Sequence, residues 1–585
     1  MKLYSKISII LAATVTLSAS SCKKDFLKEE QRTQLTQQSF STPVGVIGSI
    51  TGVYGTLRGL WGTEGFTNQL VGGTDETLAG GSTSSISTFT YVNLGLDDYR
   101  YIVQNAYQGI NTLNGVLLYG TALTDATQRT QYLAQAKFLR GMLYYYMVVN
   151  FGEMPLHTTF ITDPTTSDKR APLADLYAQI IKDFSEASKE LQVTPGQPFG
   201  GKAATQATAL YFLGKAYLTR GWSKAAQSGD FATAASTFQN LIANRATYGV
   251  DLWQDFADAF KPANDYGKEV LFVIDESSDA KYGNYVVGGS GGNYNVTNFL
   301  FRPNYPSVTA NYPASTGSAV MTRDVANGRP FIRIRPNTDY MLRVFAERNN
   351  DTRFDKSFQT TWIANTAGIT TPRGALTVGT DTAIWTPPFD PGATKRASFK
   401  GVILIPPSLV GAGSTANAYT PIIFPSLKKY DDPSRAAMND PSTRPFILVR
   451  FADVYLLAAE AYFKSGDLSK AADMLNVIRT RAAYKSSNSS AQNATAVAAM
   501  QISSNDVTLD FILDERSREL YEECTRWWDL TRTQSLGRRL QAYNSEAYPG
   551  YSKSSPADAF ALRPIPLSLI NLVTTGDKFP QNPGY

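Results

Sequence analysis

The sequence predicts a mainly α protein. Tetratricopeptide-like helix pairs form an α–α superhelix, interrupted by a long loop-rich, short-strand insert that forms the ligand face. Three observations predict this. Apolar residues recur at helical spacing from about 97 to 260 and again from about 446 to 532, the pattern of helices with one buried face. Residues 301–450 hold 16 of the 29 prolines, a density that precludes long helices and favours ordered loops. Finally, one helix-pair spacing occurs twice. Around Ala459-x-x-Tyr462, Ala471 and Leu475 follow at tetratricopeptide distances. A second copy runs from Gly214-x-x-Tyr217 to Ala234-x-x-x-Phe238 with a longer turn, and its Gly229-Asp230 matches Gly466-Asp467.

Taken in order, the chain divides at 1–21 (signal peptide), 22–45 (lipidated tether), 46–275 (N-terminal helical region), 276–446 (loop-rich, ligand-facing region) and 447–585 (C-terminal helical region). Lys2 and Lys6 precede the apolar run Ile7–Leu17, which as a helix spans ~16 Å, about half of a ~30 Å hydrocarbon core. That is a signal-peptide pattern. Ala19-Ser20-Ser21-Cys22 resembles a bacterial lipobox, with Ala19 where Leu is usual; the alternative is ordinary cleavage leaving Cys22 free. Helices are predicted near Tyr99–Tyr119, Thr127–Asn150 with its Tyr144–Tyr146 cluster, Pro172–Leu191, Lys202–Trp222 and Phe231–Ala243. Pro172 suits a first helical turn. Strands are expected at Phe331–Arg335 and Val402–Ile405, and helix returns at Phe446–Lys464, Leu468–Tyr484 and about Asp506–Arg532.

Composition excludes several functions. The 55 Lys and Arg against 50 Asp and Glu give a net charge of +5 with no basic block, so no nucleic-acid partner is expected. One histidine, His157, and two cysteines, Cys22 and Cys524, are too few for ordinary zinc, haem or iron–sulfur sites; no metal or cofactor is expected. Gly196-x-x-x-x-Gly201-Lys202 opens like a phosphate-binding loop, but Ala203 stands where Ser or Thr would hold Mg²⁺. The acids Asp514, Glu515, Glu519, Glu522 and Glu523 are interleaved with Arg516, Arg518 and Arg526. This predicts a structural ion-pair network, because guanidinium neighbours lower the pKa that a general acid needs raised. His157 is expected in a turn, and Cys524 is expected to be buried and reduced.

Aromatics in Gly/Ser/Asn-rich surroundings are the candidates for a ligand platform: Trp61, Phe66, Phe89, Tyr91, Tyr282, Tyr285, Tyr294, Tyr305, Trp362 and Trp385. Clustered exposed rings imply a flat apolar ligand face such as a sugar. For any single ring, loop anchoring is the competing reading. Asp75, Asn93 and Asn295 are the accompanying hydrogen-bond candidates.

These features resemble the SusD/RagB family of outer-membrane lipoproteins from Bacteroidetes-type bacteria. The resemblance rests on Cys22 with Lys24-Asp25 and Phe26-Leu27, Thr74-Asp75-Glu76, Tyr107-x-x-Ile110-Asn111-x-x-Asn114, and Ala134-x-Ala136-x-Phe138-Leu139-Arg140-Gly141. It continues through Phe151-Gly152-x-x-Pro155-Leu156, Arg450-x-Ala452-Asp453-Val454-Tyr455-Leu456, Asp514-Glu515-Arg516-x-Arg518-Glu519-Leu520 and Arg526-Trp527-x-Asp529-Leu530 to Gln581-Asn582-Pro583-Gly584-Tyr585. It implies four tetratricopeptide-like helix pairs, a variable ligand-facing region and a lipid anchor at Cys22 exposed outside the cell. It also implies a partner, a SusC-like TonB-dependent transporter. The expected activity is non-catalytic capture of a glycan. A peptide ligand is the close alternative, and a glycoside hydrolase using Asp514 or Glu519 is the alternative of a different class.

Overall fold

A computed structural model describes residues 39–81, 89, 99–163, 165–200, 203–277, 279, 294–312, 316–406, 422–577 and 579–585. Helices dominate them, as the periodicity predicts. α1 (Pro43–Thr56) and α2 (Glu64–Val71) come first. Neither is anticipated from the sequence. α1 holds Gly45, Gly48, Gly52 and Gly55, and each interior glycine weakens a helix by roughly 0.5–1 kcal/mol. Burial of Val46, Ile50 and Val53 along one face overrides that handicap, and the Thr42 hydroxyl caps the helix by accepting from the Gly45 N–H.

The superhelix follows: α3 (Arg100–Tyr119), α4 (Ala126–Phe151), α5 (Leu173–Glu190), α6 (Gln206–Trp222) and α7 (Asp230–Ala243), each packed on the one before. Asp125 caps α4, and Gly152 ends it at φ +73. α6 starts four residues later than predicted, where Thr205 and Thr208 form a capping box. Small residues let backbones approach. A Cβ added at Gly214 of α6 would lie 2.7 Å from the Phe238 ring of α7. α6 and α7 are the longer-turned copy of the repeat; the copy around Ala459–Leu475 forms α8 (Phe451–Lys464) and α9 (Leu468–Ala482), and α8 also packs on α7. The matched turn glycines, Gly229 and Gly466, adopt φ of +87 and +85, so the repeat read in sequence is one turn geometry used twice.

Two predicted helices are corrected. Phe446–Arg450 is a strand, not the start of α8. Its apolar, β-branched run pairs antiparallel with Val270–Ile274, and Phe446 sits opposite Ile274. The predicted helix over 506–532 is broken into α10 (Leu509–Leu520) and α11 (Arg526–Arg532) by a turn in which Glu522 and Cys524 take φ of +57 and +62.

In chain order the strands used below are β1 (Thr77–Ala79), β2 (Val270–Ile274), β3 (Ile334–Pro336), β4 (Thr361–Ile363), β5 (Thr382–Trp385), β6 (Ile403–Leu404) and β7 (Phe446–Arg450). The loop-rich segment leaves at the end of β2 and returns at the start of β7, and these ends are neighbours in one ladder. It is thus spliced into the helical frame at one point. β3 also pairs antiparallel with β1. The insert has its own core of Tyr305, Val308, Val320, Met321, Trp362, Ile369, Ile384 and Ile403, separate from the core of the helical frame. Among the described residues, no helix is long and apolar enough to cross a membrane.

Candidate functional site

The platform for the site is fastened by buried charges. Asp75, fully buried, accepts from Arg526 Nε and Arg539 Nε at 2.7 Å each. Against the upward push of burial, these guanidiniums hold its pKa down to about 2. Arg539 also reaches Asp514 at 2.6 Å. Glu519 on α10 meets Arg353, Arg450 and Arg481. Burial raises its pKa, but these cations, with Lys429, bring it to about 2. Glu515 is held by Arg353, Arg479 and Arg518. An ion-pair network is therefore present, but among the described residues only Arg518–Glu515 is a pair along the helix as predicted. Asp514 and Glu519 are met by arginines from elsewhere in the chain, and Arg516 and Arg526 turn to Asp453, Asp529 and Asp75. Glu515 and Glu519 are held ionised by these cations, the opposite of what a general acid requires.

Most of the predicted ligand contacts are instead structural. Asp75 belongs to the network just described, because its position between two arginines is interior. Trp61 is 2% exposed, edge-on to Phe66 and Tyr146. Phe89 is stacked on Trp527 and edge-on to Tyr551. Asn295 is buried; its amide donates to the Arg444 carbonyl at 3.1 Å and its Oδ1 accepts from Thr297. Tyr305 and Trp362 are both 0% exposed at the centre of the insert core, and the Tyr305 hydroxyl donates to the Gly328 carbonyl. The physical reason is common to all five aromatic and amide positions. A segment poor in regular structure needs large buried side chains to gain a core, so Gly- and Asn-rich surroundings do not imply exposure. Cys22, Tyr91, Tyr282, Tyr285 and Asn93 lie outside the described residues. His157 is not in a turn: it lies in irregular chain beyond the bend at 152–153, its ring edge-on to Tyr107 and its Nε2 3.3 Å from Asp168.

Two predicted rings stay accessible. Tyr294 is half-buried at the edge of the main core. Trp385 ends β5, in the sheet ordered β4–β5–β6, and is half-buried. Phe389, absent from the sequence-based candidates, is 43% exposed with its ring 6.0 Å from Trp385 at 77°. Phe399 closes the cluster 6.2 Å away, beneath the Arg373 guanidinium. The rigid turn Pro387-Pro388 that presents Phe389 is the sequence signal that could have found it. The two nearly perpendicular rings make an apolar corner that a sugar face or an apolar side chain can fill, and Asp390, next in sequence to Phe389, is paired with Arg396. Among the described residues no cluster of acids, histidine or cysteine is arranged to hold a metal ion.

Comparison with known proteins places this geometry. The model of the SusD family matches residues 268–585, and one described as starch-binding associating with outer membrane matches 67–218. The chain is 26% identical to SusD-like protein P2 of Formosa agariphila, over 82% of this chain and 79% of that protein. A solved SusD homologue from Bacteroides thetaiotaomicron superposes with a TM-score of 0.67 at 20% identity, covering 95% of this chain and 100% of that one. A laminarin-binding SusD-like protein gives 0.63 at 20% identity over 92% and 99%. The surface glycan-binding protein A of Bacteroides fluxus gives 0.59 at 17% over 93% and 100%. The helical frame, the spliced insert and the matched segments lead to one conclusion: this chain belongs to the SusD family.

Proposed function

We propose that this protein is a non-catalytic, cell-surface nutrient receptor that binds a glycan and delivers it to a SusC-like TonB-dependent transporter in the outer membrane. Family membership over residues 268–585 carries the reading. The laminarin-binding and glycan-binding proteins of the same fold support a sugar as the ligand class, and the Trp385–Phe389 corner supplies a surface for ring stacking. Cys22 anchors the chain by lipid, each buried CH₂ contributing about 0.8 kcal/mol. The helix pairs offer the transporter a rigid docking surface, while the insert faces the ligand.

The test is a glycan array followed by calorimetry on the chain from residue 23. Binding to a glycan, weakened about tenfold by Trp385→Ala (about 1.4 kcal/mol), is expected. Silence with every glycan beside binding of oligopeptides would transfer the reading to a peptide ligand. Mass spectrometry of the mature N-terminus checks the anchor, and co-purification with a barrel partner checks the delivery step.

A further inference from the structure

The ends of α4 and α6, the start of α5, α11 and the chain near its C-terminus enclose a cavity of about 520 Å³ in the helical frame, within the ~300–1,000 Å³ range of small-molecule sites. It lies apart from the insert. Near the start of α6, Thr208 donates to the Leu271 carbonyl of β2, where the insert joins the frame. Trp222, which lines the cavity, ends the same helix, ~21 Å further along at 1.5 Å per residue. The walls are apolar and rich in rings: Val148, Leu173, Trp222, Trp528 and Leu562. The indole N–H of Trp222 donates to Glu460 and that of Trp528 to Asn150, so neither tryptophan has a donor left for the cavity.

Tyr177 differs from them. It is 2% exposed and lines the cavity, yet its hydroxyl has no hydrogen-bond partner among the described residues. A hydroxyl so deeply placed is normally bonded, because an unpaired one forfeits the bonds that water would give it. Arg532 also lines the cavity. Its Nε and Nη2 donate to Glu460 and Asp529, and its Nη1 is without a partner. Those carboxylates already meet the arginine charge, so what remains is donor capacity and not a demand for an anion. At the rim stand Glu153 and Lys224, exposed, of opposite sign and without an ion pair among the described residues. A ligand with net charge of either sign is repelled by one of them.

Ring-lined walls, an unspent hydroxyl within and mixed charge at the mouth suit a neutral ring edged with hydroxyl groups. We infer that this cavity is a second ligand site, separate from the Trp385–Phe389 corner, and that it takes one or two neutral pyranose sugars with a sugar hydroxyl bonded to Tyr177. The inference stands on the cavity and not on the corner. The test is a ligand-observed NMR titration of the intact chain with the methyl glycosides of glucose, galactose and mannose, with maltose and cellobiose, and with phenylacetate as a charged ring. At least one sugar should bind. Tyr177→Phe removes a hydroxyl that bonds to none of the described residues, so the melting temperature should stay at the wild-type value. Affinity for that sugar should fall about three- to tenfold, the loss of one hydrogen bond. Leu173→Trp, a half-buried change on the wall, should fill the cavity and abolish binding, whereas binding should persist in Trp385→Ala. No sugar bound, phenylacetate bound in preference to every sugar, or affinity unmoved by Tyr177→Phe or by Leu173→Trp overturns the inference. Sugar binding that Trp385→Ala abolishes overturns it and leaves the glycan reading standing. A silent glycan array beside sugar binding in the cavity overturns the glycan reading and leaves this inference standing.

Discussion

Two carboxyl groups in the frame lie outside the compensated network, and they make stability fall as pH rises. Glu76, just before β1, is 2% exposed, and Glu522, in the turn between α10 and α11, is 1% exposed. The Glu522 N–H donates to Glu76 Oε2 at 3.3 Å, and neither oxygen of the Glu522 carboxyl has a hydrogen-bond partner. Arg526 Nε stands 3.6 Å from Glu76. Burial, opposed by Arg526 and aided by Asp75, pushes the Glu76 pKa from 4.5 up to about 7. Burial and the Glu76 charge push Glu522 well above its ordinary value, opposed by Lys429. Both shifts are upward, so the native state binds more protons than the unfolded chain between these limits. The stabilisation from Glu76 is complete below about 4.5 and is lost as pH rises through about 7, and that from Glu522 is lost in the same direction. Asp75, Asp453 and Glu519, held near 2, act in the opposite sense but only at acid pH. They leave the window from pH 5 to 8 flat.

At about 1.4 kcal/mol per tenfold change in proton affinity, the Glu76 shift alone is worth ~3 kcal/mol when ionised, of which about 2–3 kcal/mol falls between pH 5 and 8. Urea unfolding followed by tryptophan fluorescence at the two pH values measures it. The Glu522→Gln protein should match wild type at pH 5, where the carboxyl is protonated, and exceed it at pH 8. A wild-type midpoint that is unchanged or higher at pH 8, or a variant that loses as much as wild type, would refute the reasoning.

Three further outcomes follow from the same geometry. Asp75→Asn removes the carboxylate shared by Arg526 and Arg539, leaving Arg539 to Asp514 and Asp510 and Arg526, among the described carboxylates, to Glu76 alone at 3.6 Å, and should destabilise by about 3–5 kcal/mol in denaturant titration. Gly214→Ala places a methyl 2.7 Å from Phe238 and should destabilise by about 1–3 kcal/mol. Gly48→Ala, with nothing within 4 Å, should stabilise by about 0.4–1 kcal/mol, and thermal unfolding of the two side by side checks the contrast. Trp362→Ala empties the insert core and should lower stability by about 3–5 kcal/mol. Trp385→Ala should leave the melting temperature close to wild type and change ligand affinity instead.

The frame was legible because its signals are local and periodic. The turn glycines of the repeat and the helical spacing of apolar residues each state their structural role within a few positions. The break at 521–525 was not legible. Its positive φ values fall on Glu522 and Cys524, residues that do not advertise a turn. Likewise Phe446–Arg450 has a strand-like composition, but its partner β2 lies about 170 residues earlier, a pairing that no local window contains. The ligand face was the least legible part. Trp362 and Trp385 stand in similar Thr-rich surroundings on neighbouring strands, yet one is fully buried and the other is half-buried. Which side of a short strand faces the insert core depends on register, and a slip of one residue would exchange the two.

The insert is joined to the frame at more than its two ends. It enters and leaves through adjacent strands, but much of it, including Tyr340, Phe345, Phe354 and Phe358, is buried in the core of the helical frame. Further contacts prevent it from swinging on the strand joint. β3 is laddered to β1, Arg335 Nε donates to the Ala79 carbonyl, and Asn337 donates to the Asp75 and Tyr543 carbonyls. Asp75 is in turn locked by Arg526 and Arg539 of the C-terminal helices. These contacts, with Arg353 paired to Glu515 and Glu519, Tyr340 bonded to Asp514 and Lys429 paired to Glu523, fix the insert to the helical frame at several places far apart in sequence.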